Sequence, residues 1–364
     1  MSQINVLLPF KEKFTKNMKS SVSITVEANF KESIFKNKIT IFGQNINNPM
    51  LKDNFFGVKK TTIPFVSKNV HLAKRMCDEI NRLNIEYPII EIHNRPFLLK
   101  IIKKKVKKAK IILFFHNDPL EMKGSKSIKD RLYLISNCSS ICFVSNYIKN
   151  QFLIDLNANT EKLHVLYNGV SLVSNIKHKK EKLITFVGRL VQEKGAHLFL
   201  EAVIKLHKKY KDWDFMVVGS TYLGTNSKTI YSEKIRALVL KLGSNVKFTG
   251  YLSYQKSQTL MQKSEILIVP SIWNEPFGLV VAEGMLCGCA IITSNKGAIS
   301  EIIKDKGILL DNIDVKKITS SLELLINNNS LRQSFQKKAK DKFKFTAHNS
   351  ARALDNLRKK IMME

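Results

Sequence analysis

At 364 residues, 44% of them apolar, the chain can form two domains of ordinary size; no run reaches the length that crosses a bilayer, and the apolar start at 4–9 is too short and strand-like for a secretory leader, so a cytoplasmic protein is expected. The net charge of +30 leaves three readings open, a nucleic acid, an anionic membrane surface or a lysine-biased composition, and only nine of the sixty basic residues are the arginines that bidentate phosphate and base reading favours. Five cysteines, odd in number and without a Cys-x-x-Cys pair, suggest neither a disulfide framework nor a zinc site and point to packing.

In chain order, 4–10 reads as a strand, followed by a polar turn at 17–21, where Ser20 and Ser21 offer amides and hydroxyls to a phosphate, and by a helix at 22–30. Strands at 39–43 and 89–93 flank an amphipathic helix at 70–83, an alternation that predicts a parallel sheet wrapped by helices. His93, Asn94 and Arg95 then fall at the C-terminal edge of the sheet, where open α/β sheets bind ligands; His93 is equally a ligand contact or an edge residue. Residues 97–110 place five apolar residues on one face and seven lysines elsewhere, as a crossover helix whose lysines also suit an anionic membrane. A strand at 111–115 delivers His116 and Asp118, one at 141–144 delivers Ser145, and one at 163–167 leads to Asn168-Gly-Val170 and a polar linker at 171–182.

The strand at 183–187 opens into Gly188-Arg189 and Lys194-Gly195 before a helix from Ala196. Backbone amides and two cations at a helix start make a diphosphate site by simple physics. Strands at 215–219 and 246–250 end in Gly219 and in Tyr251-Leu252, with a polar loop at 222–231 between them and a short helix at 253–263 after them. The strand at 266–269 closes on Pro270 and leads into Glu275-Pro-Phe277-Gly278-Leu279-Val-Val-Ala-Glu283, where Asn274 and Pro276 suit a helix start and the amides of Phe277, Gly278 and Leu279 form an anion cradle. Glu275 and Glu283, eight positions apart, supply two hydrogen-bond acceptors beside it, a combination that fits a phosphate attached to a polyhydroxylated group. Helices follow at 315–326, 331–343 and 349–363.

The strand-Pro-Ser lead-in, the Glu275-to-Glu283 block and the following Gly297-Ala-x-x-Glu301 resemble, in order, the Glu-x7-Glu region of retaining glycosyltransferases of family four. The Gly188-Arg189 and Lys194-Gly195 element, the Val-Ser turn at Ser145 and the junction at 168–170 are similar to that family too, with Ser171 where it has aspartate and no glycine in the turn at 17–21. His116-Asn-Asp-Pro119 resembles bacterial lipopolysaccharide-type members. The resemblance implies the GT-B α/β fold: two Rossmann-like domains facing a cleft, an acceptor domain at 1–170, a donor domain at 171–345 and a terminal helix at 346–364 crossing back onto the first domain. It implies a retaining, metal-independent transfer of a hexose-type sugar from a nucleotide-diphosphate donor to a cell-envelope glycan or lipid-linked acceptor, with no cofactor and no specific nucleic acid. The catalytic set would be His116, orienting the sugar near its anomeric centre, Arg189 and Lys194 on the leaving diphosphate, and Glu275 on sugar hydroxyls. Gly188, Phe277, Gly278 and Leu279 would complete the diphosphate site, Glu283 would hold the ribose, and Gly219, Tyr251 and Leu252 would lie at the nucleotide. The expected location is cytoplasmic, peripheral at the inner face of the membrane through the lysine-rich first domain. Other readings are a glycoside hydrolase, which has no need of the anion cradle, a sugar-nucleotide epimerase or sugar phosphorylase, and a basic membrane- or nucleic-acid-binding module, against which stands the lack of any RNP, zinc or helix-turn-helix motif.

Overall fold

A computed structural model describes residues 3–15, 20–62, 64–173, 178–221, 229–341 and 343–364. Residues 17–19 of the polar turn, 174–177 of the linker and 222–228 of the polar loop singled out above lie outside the described residues. The chain divides into two units, Met1–Gly169 with Thr346–Glu364, and Val170–Phe345.

The first unit runs β1 (Ile4–Leu7), α1 (Ser21–Glu32), β2 (Ile39–Gln44), β3 (Phe55–Val58), α2 (Lys68–Arg82), β4 (Ile89–His93), α3 (Leu99–Lys105), β5 (Lys110–Phe115), α4 (Ile128–Asn137), β6 (Ser140–Phe143), α5 (Asn146–Leu153) and β7 (Leu163–Val165). Its strands form a parallel sheet in the order β3-β2-β1-β4-β5-β6-β7. The central strands β1 and β4 are buried along their whole length. Their Ile- and Val-rich runs are what a parallel sheet covered on both faces requires.

The second unit runs β8 (Glu181–Val187), α6 (Ala196–Leu206), β9 (Asp214–Val218), α7 (Ile230–Leu240), β10 (Val246–Gly250), α8 (Tyr254–Lys263), β11 (Ser264–Val269), α9 (Leu279–Leu286), β12 (Ala290–Ser294), α10 (Ile299–Ile303), β13 (Gly307–Leu310), α11 (Val315–Asn327) and α12 (Asn329–Asp341). Its parallel sheet has the order β10-β9-β8-β11-β12-β13, so the winding reverses between β8 and β11. In the first unit the reversal falls between β1 and β4. Loops leaving neighbouring strands at such a reversal diverge and leave room for a ligand.

The last helix, α13 (Ala347–Met363), belongs to the first unit. Leu354, Leu357 and Ile361 join a core with Val22, Val26 and Phe30 of α1. Between them lies a buried charge network. Arg358 donates to both carboxylate oxygens of Glu91 (2.7 and 3.0 Å), to Asp355 (2.9 Å) and to the Ser33 hydroxyl (3.2 Å). Asp355 also accepts from Ser33 Oγ (2.8 Å) and from the Ile34 amide (2.9 Å), so each buried charge is met by charge-assisted hydrogen bonds.

Several elements differ from the sequence expectation, which contained no α4, β12 or β13. The helix expected over 97–110 is confined to α3 and ends at Val106. Lys100/Lys104, Lys103/Lys107 and Lys104/Lys108 would face one another one turn apart, which opposes a longer helix. Several of these lysines instead find partners in the chain: Lys105 pairs with Asp78 and Lys108 with Glu86 (each 2.9 Å), while Lys110 donates to the Ile361 carbonyl (2.7 Å). The short strand β3 was not anticipated. Nor was α7, which takes up the end of the expected loop at 222–231; Thr229 and Ser232 form a reciprocal cap, and Ile235 and Val239 turn inward.

Candidate active site

Two loops of the second unit meet at its switch point. After β8, the Gly188 amide donates to Val218 O (3.1 Å) and the Leu190 amide to Ser220 O (3.0 Å), which fixes the loop against the exit of β9. A single 3-10 turn, Gln192–Lys194, then reaches Gly195 in the left-handed region (φ 72°). A Cβ at Gly195 would lie 2.0 Å from the Pro270 carbonyl, so only glycine lets this turn rest against the end of β11. From the opposite side, the Ser271 hydroxyl (3.2 Å) and the amides of Ile272 (2.9 Å) and Trp273 (3.3 Å) converge on Glu193 O. Gly297 presses equally close to Glu275: a Cβ there would stand 2.3 Å from Glu275 O, which accepts from the Ala298 amide (2.8 Å).

The clamped backbone aims one carboxylate. Glu275 Oε1 meets Lys194 Nζ at 2.5 Å, with the two side chains only 12% and 20% exposed. An anion arriving here competes for the ammonium and frees a fixed carboxylate to accept from hydroxyls beside it, so the pair can hold a phosphate and a polyol together. Arg189 sits at the exit of β8, exposed, and its guanidinium makes no hydrogen bond or ion pair with the described residues. Gly219 packs on the Gly188 carbonyl and donates to Gly250 O (2.9 Å). Along this edge opens a cavity of about 620 Å³, lined by Leu190, Gly219, Ser220, Arg236, Thr249 and Gly250 among others. That is a volume in the range of small-molecule sites. Tyr251 and Leu252 follow it, half-buried.

The helix after Glu275 starts later than expected. Asn274 and Pro276 do not open it; α9 begins at Leu279 with Gly278 as N-cap (φ 95°). The reason is the parallel bridge of Glu275 to Gly297, which holds this stretch extended. Phe277 is buried and stacks edge-on against Phe345 (5.7 Å). Of the expected cradle, only Leu279 therefore belongs to the first turn of the helix. Glu283 does not meet Glu275's partner; it is buried on α9 and hydrogen-bonded to the Tyr254 phenol. Burial pushes its carboxyl up to about 7, a shift that the Tyr254 bond opposes. The Tyr254 phenol is raised in turn by burial and by the Glu283 charge.

In the first unit, His116 follows β5 and His93 ends β4, and both are buried. Their rings meet through His93 Nδ1 and His116 Nε2 at 2.8 Å. Burial drives His116 down to about 4 and His93 well below the usual imidazole range, so both are neutral at pH 7. Asn94 Oδ1 accepts from the His116 amide (2.7 Å). Asp118 is a turn former, accepting from the Leu120 amide (2.8 Å). Ser20, expected to offer its hydroxyl to a phosphate, spends it locally: it donates to Glu12 and accepts from the Ser23 amide as the cap of α1.

Sequence reasoning did not find Tyr254, the Glu193 carbonyl or the His93 to His116 bond. Each joins residues 23 to 80 positions apart. No single motif contains both partners of any of them. Among the described residues no group of three or more His, Cys, Asp or Glu is placed to hold a metal, and no helix is long and apolar enough to cross a membrane.

Residues 172–342 match the family model described as glycosyl transferases group 1. YtcC of Bacillus subtilis (strain 168) is 24% identical over 349 residues, 89% of this chain and 84% of that one. The lipopolysaccharide 1,2-N-acetylglucosaminetransferase of Salmonella typhimurium (strain LT2) is 25% identical over 235 residues, 60% of this chain and 58% of that one. Among solved structures, Anabaena Alr3699/HepE in complex with UDP and glucose superposes with a TM-score of 0.75 at 15% identity, over 99% of this chain and 100% of that one.

Proposed function

We propose that the chain, whose residues 172–342 match the glycosyl transferases group 1 model and which has the GT-B fold, is a glycosyltransferase that moves a hexose-type sugar, with retention at the anomeric carbon, from a nucleotide-diphosphate donor to a cell-envelope glycan or lipid-linked acceptor. The observation that carries this reading is the Lys194–Glu275 pair, held by backbone at the switch point of the second unit with the exposed Arg189 on the same loop. The charge that must be met in such a transfer is that of the departing diphosphate. Arg189 and Lys194 are the groups for it, and Glu275, released from Lys194, takes sugar hydroxyls. Glu283 and Tyr254 would accept the ribose, and the cavity beside Gly219 and Gly250 would take the nucleoside. His116 would contact the donor sugar. With retention, the proton of the attacking acceptor hydroxyl passes to the leaving phosphate oxygen on the same face, so no second protein carboxylate is required. The Anabaena structure supports a nucleotide-sugar donor with uridine as the first base to test. The Salmonella relative supports an envelope acceptor, and the excess of lysine suits work at an anionic membrane surface.

The test is a thermal-shift series of wild type and Arg189→Ala with uridine, guanosine and adenosine diphosphates and their sugar conjugates. A ligand at a hundred times its dissociation constant stabilises by about 2.7 kcal/mol. The expected result is stabilisation of wild type by one base, lost in Arg189→Ala, whose exposed side chain contributes little to the fold. No response to any nucleotide would overturn the donor reading.

A further inference from the structure

His93 is a buried group for which the transfer itself has no use. Its ring is stacked on Phe114 (4.6 Å between centroids, 4° between planes), and its Nδ1 is bonded to His116 Nε2. Its other nitrogen, Nε2, is buried without a partner among the described residues, as is Asn29 Oδ1. Both residues line a cavity of about 10 Å³, together with Glu91 and Arg358. That is about the volume one water needs, and the four polar side chains among its ten lining residues would hold one there.

The hydrogens around this cavity can be counted. Arg358 has five N–H groups. Nε–H and one Nη2–H go to Glu91, and the two on Nη1 go to Ser33 and Asp355, which leaves one Nη2–H. A water there that accepts from that fifth N–H would have two hydrogens to give, and giving one to Asn29 Oδ1 and one to His93 Nε2 satisfies both of these atoms. His93 Nε2 is then an acceptor, so the ring's single hydrogen is on Nδ1 and is donated to His116 Nε2. His116, neutral and accepting at Nε2, must carry its own hydrogen on Nδ1, which makes no hydrogen bond to the described residues.

We propose that His93 is a positioning residue for the glycosyl transfer: its Nδ1–H fixes the ring plane of His116 and holds His116 in the Nδ1–H tautomer, so that His116 presents a hydrogen-bond donor to a sugar oxygen. The role in transfer rests on the donor reading above; the tautomer does not. The arrangement parallels the way a second group selects the tautomer of a working histidine elsewhere.

Nitrogen-15 NMR of histidine-labelled protein tests the proposal, with His116→Gln and His93→Leu spectra for assignment. The expected wild-type result is pyrrole-type Nδ1 and pyridine-type Nε2 on both rings, unchanged between pH 5.5 and 8. In His93→Leu the His116 signals shift toward the Nε2–H tautomer, and in His93→Asn, whose amide can donate in the same place, they stay near wild type. UDP release from UDP-glucose then reads the consequence: kcat falls about tenfold in His93→Leu with KM little changed, and His93→Asn recovers most of it. An Nε2–H tautomer on His116 in wild type, or His116 signals indifferent to His93→Leu in a protein with native circular dichroism, would overturn the proposal. Equal kcat in His93→Leu and wild type would overturn it as well. Absence of any turnover by wild type would count against the donor reading, and the NMR result alone would then decide the tautomer.

Discussion

At the sheet edge of the second unit, Lys194 and Glu275 are aimed by main chain: the Glu193 carbonyl gathers Ser271, Ile272 and Trp273, and two glycines let the loops touch. At the sheet edge of the first unit, His93 and His116 are aimed by side chains, with Arg358, Glu91 and Asp355 behind them carrying charge in the core. A backbone clamp depends on what a few positions lack, namely a Cβ. A buried polar network depends on every member being present, because removing one leaves the others charged and unpaired.

The largest effect should therefore come from the first unit. Arg358→Leu leaves Glu91 and Asp355 buried without their cation, and we expect a loss of about 3–5 kcal/mol in urea unfolding followed by far-ultraviolet circular dichroism. Both tryptophans, Trp213 and Trp273, belong to the second unit, so their fluorescence followed in parallel shows whether the loss is confined to the first. If Arg358→Leu unfolds like wild type, the contrast drawn between the units is wrong. Next in size is Gly195→Ala, which forces a left-handed alanine against the Pro270 carbonyl. Strain of this kind costs roughly 1–3 kcal/mol, and the displaced loop should weaken nucleotide binding more than it lowers the melting temperature. The smallest effect depends on pH. The folded carboxyl of Glu283, near 7, lies above its ordinary value of 4.5, so the stability tied to its protonated form is present below pH 4.5 and lost as pH rises through about 7. Glu283→Gln escapes that loss. Its advantage over wild type in melting experiments should be absent at pH 4 and grow to roughly 1–3 kcal/mol at pH 8.

The same contrast explains what could be read from the sequence. Gly188-Arg189, Lys194-Gly195, Glu275-Pro-Phe-Gly and Gly297 are short strings, each written within one loop, and the GT-B fold and the likeness of residues 172–342 to group 1 glycosyl transferases were legible from them. The alternation of apolar strands and amphipathic helices announced the parallel sheets. What was not legible is what depends on remote partners. Nothing beside His93 in the sequence announces His116, and nothing beside Glu91 announces Arg358, 267 positions away. Tyr254 looks like any helix-start tyrosine until Glu283 is folded beneath it. Asn274 and Pro276 misled for a related reason: they are good helix openers in isolation, and a bridge to Gly297 keeps that stretch extended. In α3 the pairs Lys103/Lys107 and Lys104/Lys108 would oppose a longer helix, and Val106 and Ala109 are buried without one.

The helix α13 has a consequence for the birth of the protein. The second unit is one uninterrupted segment, Val170–Phe345, whereas the first is completed by Thr346–Glu364. On a ribosome, every residue of the second unit has been made before Leu354, Leu357 and Arg358, which close the core of the first. The first unit is therefore the one that must wait, with Glu91 and the α1 surface lacking their native cover until α13 has been made.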